Sequence, residues 1–263
     1  MLFSIIITVR NEGENIAELL ESLTRQDVQK EIIIVDSDSE DNTAEVVGTY
    51  AEKYDYIHFT VRGSKRGEGR NIGISMAHGD VFVFIDGDCT ADSNWLSEIG
   101  ETLKTADVAA GKTVYAGIGP YLGLERVELY RKGLDVTYPS CNLAYRREVI
   151  DSIGLFDRWF ITAEDIDLNI RAVDSHFSVA YNENAVVYHR ARENIYSFSK
   201  QAFWNGAGRK QLTLKYGRLW SSYKPLELFK RKMTLPSMIR VFMALMGYVG
   251  YKLFGSRRNP AKS

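Results

Sequence analysis

The sequence predicts an α/β protein on a mainly parallel, Rossmann-like sheet with helices on both faces, followed by a helical C-terminal extension. Short β-branched runs alternate with helical patterns through the first half, the signature of crossover units. Each run is followed by a polar turn and then by apolar residues spaced for one helix face. Late in the chain the composition turns strongly basic and then strongly apolar, which marks the extension.

The bulk properties fit that class. A chain of 263 residues has room for one substantial core plus an appendage. With 45% hydrophobic and 25% charged residues, neither disorder nor a multi-span membrane protein is expected. The net charge of −1 supplies no global basic field, so nucleic acid is not an expected partner. Cys89 and Cys141 lie far apart in sequence without CxxC spacing. They read as two buried small residues of a reducing compartment, with no thiolate zinc site.

The elements follow in order. Phe3 to Val9, Glu31 to Asp36, Ile57 to Val61 and Val81 to Asp86 are the expected strands. The opening run reads as the first of them and not as a secretory leader, so a cytoplasmic protein is expected. Ligands of open α/β sheets collect beyond the carboxyl ends of strands. The residues there are Arg10, Asn11, Glu12, Asp36, Asp38, Asp86 and Asp88. Acids recurring at one sheet edge are not what core packing produces. From about Thr105 to Arg192 the pattern becomes mixed, with one helix expected around Tyr121 to Gly133 and another opening near Glu164. An amphipathic helix containing Phe198, Phe203 and Trp204 comes next. The stretch from Arg209 to Lys232 then holds eight Lys/Arg against one acid, Glu227, and Leu235 to Gly255 is apolar. The expected division is a main domain over 1–211, split into a nucleotide-binding half (1–104) and an acceptor-side half (105–211), with an extension over 212–263.

Phe82-Val-Phe-Ile-Asp86-Gly-Asp88 is the central motif: an apolar strand ending in two carboxylates. Hard divalent cations want carboxylate oxygens, and a departing sugar diphosphate needs such a cation. A solvated turn at a strand end has the same spacing. Five further pieces stand around it. They are Ser4-Ile-Ile-Ile-Thr-Val-Arg-Asn11-Glu12, Glu31-Ile-Ile-Ile-Val-Asp36-Ser-Asp38-Ser-Glu-Asp41, Gly69-Arg70-Asn71-Ile-Gly73, Asn142-Leu-Ala-Tyr-Arg-Arg147 and Ala163-Glu164-Asp165-Ile-Asp-Leu. In this order, from Phe3 to about Gln211, the chain resembles the glycosyltransferase 2 family with its GT-A fold.

The resemblance implies an inverting glycosyltransferase that uses Mn2+ or Mg2+, a nucleotide-sugar donor carrying UDP more than GDP, and a glycan or lipid-linked acceptor. It implies that Asp36 accepts from the N–H of the base, although Ser37 stands where the family usually has a second acid; a turn-initiating Asp is the plainer alternative. Thr8, Arg10, Glu12 and Asp38 fall where the family contacts the nucleoside. Arg70, in a loop entering a helix, suits phosphate or solvent. Gly67, Gly69 and Gly73 read as loop flexibility near the donor. The resemblance makes Asp86 and Asp88 the cation ligands, joined by His189 at the end of another apolar strand, where a core histidine is the alternative. Asp165, with Glu164 beside it, is the expected base, and helix capping is the alternative. Gln201-Ala-Phe-Trp204-Asn lacks the Gln-x-x-Arg-Trp of processive relatives, so single addition is expected. The C-terminal segment, Met238 to Phe254, contains Arg240 and is short for a span. A helix lying on anionic lipid at the inner face of the cell membrane is expected, against simple packing on the domain. The rival enzyme is a haloacid-dehalogenase-type phosphatase with Asp86 as nucleophile, because Asp86-Gly-Asp88-Cys-Thr90 also fits its pattern.

Overall fold

A computed structural model describes residues 1–117, 127–190, 194–217, 219 and 234–255. Strands β1 (Phe3–Val9), β2 (Lys30–Asp36), β3 (Ile57–Val61) and β4 (Val81–Asp86) run parallel in the order β3-β2-β1-β4. The same sheet continues through β9 (Leu143–Arg146), β6 (Val108–Ala116), β10 (Val179–Arg190) and β5 (Cys89–Ala91). Here β9 is antiparallel to β4 and β6, and β5 is antiparallel to β10.

Side chains alternate across a strand, and both faces of these strands are apolar because both are covered. Ile5, Ile7, Val83 and Ile85 point to the side of α1 (Ile16–Thr24), α2 (Thr43–Lys53) and α4 (Trp95–Thr102). Ile6, Phe82 and Phe84 point to the side of α3 (Arg66–Met76), α5 (Arg147–Ile153) and α6 (Glu164–Asp174).

Two expectations are corrected here. Gly67, Gly69 and Gly73 are inside α3 and not in a loop. A Cβ at Gly73 would strike the Ile6 side chain, and one at Gly69 would stand 2.8 Å from Thr8 Cγ2. These glycines bring the helix down onto β1 despite their low helix propensity. The helix expected around Tyr121 to Gly133 is replaced, in its described part, by a hairpin of β7 (Tyr130–Arg131) and β8 (Leu134–Asp135). Lys132 and Gly133 both have positive φ, 49° and 82°, as a tight two-residue hairpin turn demands. Residues 121–126 of that expectation lie outside the described residues.

Two long helices complete the chain, α7 (Ile195–Tyr216) and α8 (Leu235–Phe254). They meet at backbone contact, since a Cβ at Gly206 would strike the Ala244 carbonyl and one at Gly247 the Phe203 carbonyl. Lys215 anchors the end of α7 to Asp157 at 2.8 Å and Asp167 at 2.7 Å. Buried Gln211 ties α7 to the Trp159 and Ile161 backbone and to the Tyr251 hydroxyl of α8. Among the described residues, no helix is long and apolar enough to cross a membrane.

Candidate active site

The carboxyl ends of β1, β2 and β4 lie side by side, with Val9 in register with Asp36 and Thr8 with Asp86. Asp36 is 1% exposed; its Oδ1 accepts from the Ser39 amide (2.9 Å) and hydroxyl (2.7 Å), while Oδ2 is buried with no hydrogen-bond partner. A buried acceptor without a donor costs about 1–3 kcal/mol, so Oδ2 is suited to a ligand N–H. Around it, the Arg10-Asn11-Glu12 turn is laced to the β2–α2 loop. The Asn11 amide donates to Ser39 Oγ (2.9 Å), the Glu12 amide to Thr43 Oγ1 (2.8 Å), and Asn11 Oδ1 accepts from the Glu40 amide (2.8 Å). Asn11 and Asp38 both adopt φ 56°. Arg10 and Asp38 are exposed, and Arg10 stands 3.9 Å from Glu40.

At the end of β4 the chain turns through Gly87 into β5, which brings Asp86 and Asp88 against the end of β10. His189 Nε2 is 3.6 Å from Asp88 Oδ1. Its Nδ1 is 3.0 Å from the Arg190 carbonyl, which can only accept. Nδ1 therefore carries a proton and Nε2 faces the acids, the arrangement of a metal-binding histidine. Burial alone would lower the His189 pKa, but the Cys141 sulfur and the Asp88 and Asp86 carboxylates outweigh it and hold the ring above its ordinary value.

Arg70 is not a phosphate arm reaching from a loop. It is 2% exposed within α3, with Nη2 donating to Asp86 Oδ1 (3.0 Å) and Nη1 to Glu164 Oε1 (2.7 Å). Burial pushes the Asp86 carboxyl up, yet Arg70, Arg66 and His189 prevail and hold it below the usual range. For Glu164 burial wins and, helped by neighbouring Asp165, keeps the carboxyl above the usual range despite Arg70.

Asp165 is the second residue of α6, whose N-cap, Ala163, has a φ of 66°. Its Oδ2 accepts from the Ser140 amide (3.2 Å) and its Oδ1 from the Ile166 amide (2.8 Å). Ser140 belongs to a short 3-10 turn, Ser140–Asn142, fixed by Asn142. Trp95 Nε1 donates to Asn142 Oδ1 (2.9 Å), while Asn142 Nδ2 donates to the Lys112 (3.0 Å) and Ala185 (2.9 Å) carbonyls. Gly111 leaves the space, because a Cβ there would overlap the Asn142 amide.

One open cleft of about 1260 Å³ gathers these parts: Asp86, His189, Glu164 and Asp165 line it, with Arg66, Lys112 and Cys141. Residues of α7 and α8, including Arg209, Arg240 and Tyr248, form its outer wall. Asp88 faces a smaller adjoining hollow of about 330 Å³ with Cys89 and Arg190. Asp36 lies two strands from Asp86, about 10 Å by strand spacing.

The donors fit a divalent cation. The ligand atoms of Asp86, Cys141 and His189 lie within 4.8 Å of one another, as do those of Asp88, Cys89 and His189. Both cysteines are buried, as the sequence predicts, and although remote in sequence both sulfurs lie beside the acid–histidine cluster. Sequence reasoning also gave no role to Arg66, the cation of α3 that reaches the cleft. Its signal was a basic pair, Lys65-Arg66, ahead of a helix whose start the glycines hid.

The architecture is that of solved sugar-nucleotide enzymes. The mannosyltransferase PcManGT from Pyrobaculum calidifontis, in complex with GDP-Man and Mn2+, superposes with a TM-score of 0.66 at 16% identity, covering 97% of this chain and 76% of that one. S. aureus TarS 1-349 in complex with UDP gives 0.61 at 20% identity, covering 95% and 80%. In sequence, glycosyltransferase AglE of Haloferax volcanii is 27% identical over 223 residues, 80% of this chain and 73% of its own length. A dolichyl N-acetyl-alpha-D-glucosaminyl phosphate 3-beta-D-2,3-diacetamido-2,3-dideoxy-beta-D-glucuronosyltransferase of Methanococcus voltae is 26% identical over 246 residues, 82% and 76%. The profile of glycosyl transferase family 2 matches residues 4–154, more than half of the chain. The chain belongs to that family and is a glycosyltransferase with a GT-A-like fold. The comparisons lend nothing to the phosphatase alternative.

Proposed function

We propose that the protein transfers a sugar from a UDP-sugar to an acceptor hydroxyl with inversion at the anomeric carbon. The observation that carries this reading is the convergence of Asp86, His189 and Asp165 on one cleft, with the open Asp36 oxygen two strands away. The uracil N3–H donates to Asp36 Oδ2. Guanine fits less well: its N1–H and amino group ask for two acceptor oxygens, and Oδ1 already serves Ser39 twice. Thr8, Arg10, Glu12 and Asp38 frame the nucleoside, and Arg66 at the start of α3 faces the diphosphate.

Asp88, Asp86 and His189 would hold Mn2+ or Mg2+, which would neutralise charge on the departing diphosphate. Arg70 and Glu164 position Asp86. Asp165 accepts the proton of the acceptor hydroxyl as its oxygen bonds to the anomeric carbon and the bond to the diphosphate breaks. The Ser140 amide aims that carboxylate. Residues 1–104 serve the donor and 105–211 the acceptor, while the extension over 212–263 brings the protein to the membrane.

An exposed apolar stripe on α8 supports that last part: Leu235, Met238, Phe242, Leu245, Met246, Val249 and Leu253 share one face. Leu245 also lines the cleft, so a glycan or lipid-linked acceptor can enter from an anionic surface at the cytoplasmic side. Phe242→Glu together with Leu245→Glu is expected to abolish flotation with anionic vesicles; undiminished flotation contradicts the membrane contact. The test of the reaction is incubation with UDP-sugars, Mn2+ and lipid-phosphate or glycan acceptors. The expected result is UDP release and a β-linked product from an α-linked donor by NMR. Retention at the anomeric carbon, or phosphate release from simple monoesters without a sugar nucleotide, overturns it.

A further inference from the structure

The cation cluster contains a donor that the reaction leaves idle. Cys141 Sγ lies within 4.8 Å of the ligand atoms of both Asp86 and His189 and lines the same cleft. It is rigidly placed, one residue before the Asn142 anchor and with Thr113 Oγ1 3.6 Å from its sulfur. A hard cation gains little from a thiol, whereas a borderline-soft one prefers sulfur and nitrogen. With Zn–S near 2.3 Å and Zn–N near 2.0–2.1 Å, neighbouring ligands of a tetrahedral zinc stand about 3.5 Å apart. Donors already within 4.8 Å reach that spacing by side-chain adjustment. Two of the three are donors assigned above to the hard ion, so the two ions exclude each other.

We propose that Cys141, His189 and Asp86 form a zinc site overlapping the catalytic cation site, so that Zn2+ bound through the Cys141 sulfur displaces the ion that supports transfer. The proposal rests on the reading of the acid–histidine cluster as a cation site. On binding, the S–H proton passes to solvent and an S–Zn bond forms, with no change of oxidation state. Cys89 opens onto the smaller hollow beside Asp88 and belongs to the other trio with His189, so the test compares the two sulfurs directly.

The test is a Co2+ titration of the full chain at neutral pH, followed by absorption, with Mn2+ binding measured separately by loss of the free-ion EPR signal. The wild type is expected to develop a near-ultraviolet thiolate-to-cobalt charge-transfer band that Zn2+ bleaches. Cys141→Ser, checked for an unchanged melting profile, is expected to lose the band and to bind Zn2+ at least about tenfold more weakly, with Mn2+ affinity changed by less than about threefold. Cys89→Ser is expected to keep the band. Mn2+ and Co2+ binding without a charge-transfer band in the wild type, or a band that survives Cys141→Ser, overturns the zinc site and leaves the cation reading standing. Failure of Mn2+ and Co2+ alike to bind the wild type overturns both.

Discussion

Strand β2 carries a buried carboxylate at each end, and the two are treated in opposite ways. At the amino end, Glu31 Oε1 accepts from the Ser4 hydroxyl (2.6 Å) and the His78 and Gly79 amides (2.6 and 3.0 Å). Its Oε2 faces His78 Nδ1 at 3.2 Å. At the carboxyl end, Asp36 uses one oxygen for Ser39 and leaves the other buried and unpartnered. A satisfied buried carboxylate locks the turn into β4; an unsatisfied one is stability withheld for a ligand. Acidity alone therefore does not mark function on this sheet. What distinguishes Asp36 is the unfilled acceptor.

If that contrast is right, groups left open for a ligand should be costly to rate and groups satisfied within the fold costly to stability. The largest expected effect is in turnover: Asp165→Asn should reduce kcat by about 10²–10⁴ with donor affinity within about threefold, measured by steady-state kinetics and calorimetric titration of UDP. Next comes Arg70→Met, which strands Asp86 and Glu164. We expect a loss of about 3–5 kcal/mol in denaturant unfolding. A mild effect there would mean that the carboxyl end holds no structural ion pair and would blur the contrast.

Glu31→Ala orphans the Ser4 hydroxyl and the His78 amide, while the Gly79 amide keeps Ser4 Oγ, and should cost about 2–4 kcal/mol while sparing UDP affinity. Burial works against the Glu31 carboxylate, but the Ser4 hydroxyl and the His78 and Gly79 amides prevail and hold its pKa below the ordinary value. A depressed folded-state pKa contributes stability above the unfolded value of about 4.3, lost as pH falls through the folded one. The gap between wild type and Glu31→Ala should therefore be full at neutral pH and shrink on acidification below about pH 4. A gap independent of pH would contradict the lock.

Much of this was legible in the sequence, and the failures have physical reasons. The parallel strands were readable because both faces of Ile5-Ile6-Ile7 and Phe82-Val83-Phe84 are buried, leaving unbroken apolar runs. The positions of Asp36 and Asp86 at the carboxyl ends of β2 and β4 were readable because the apolar runs stop there. Arg70 was misplaced because glycines at 67, 69 and 73 look like a loop, when close packing of Gly69 on Thr8 and Gly73 on Ile6 makes them part of a helix face. The approach of the sulfurs to His189 was missed because separation along the chain carries no information about β5 pairing with β10, which brings Cys89, or about the 140–142 turn docking on β10 through Asn142, which brings Cys141. The 130–135 hairpin was missed because its signal is two residues at positive φ inside a pattern that reads as helical.

The smallest predicted effect is also the most direct test of the central claim, that the buried Asp36 oxygen awaits the N–H of a uracil. Cytosine presents an acceptor at the same ring position, where uracil presents a donor. Calorimetric titration of UDP and CDP in Mn2+ should show UDP bound at least about tenfold more tightly, with the preference levelled by Asp36→Asn. Equal affinity for the two nucleotides in the wild type, or a preference untouched by the substitution, would contradict it.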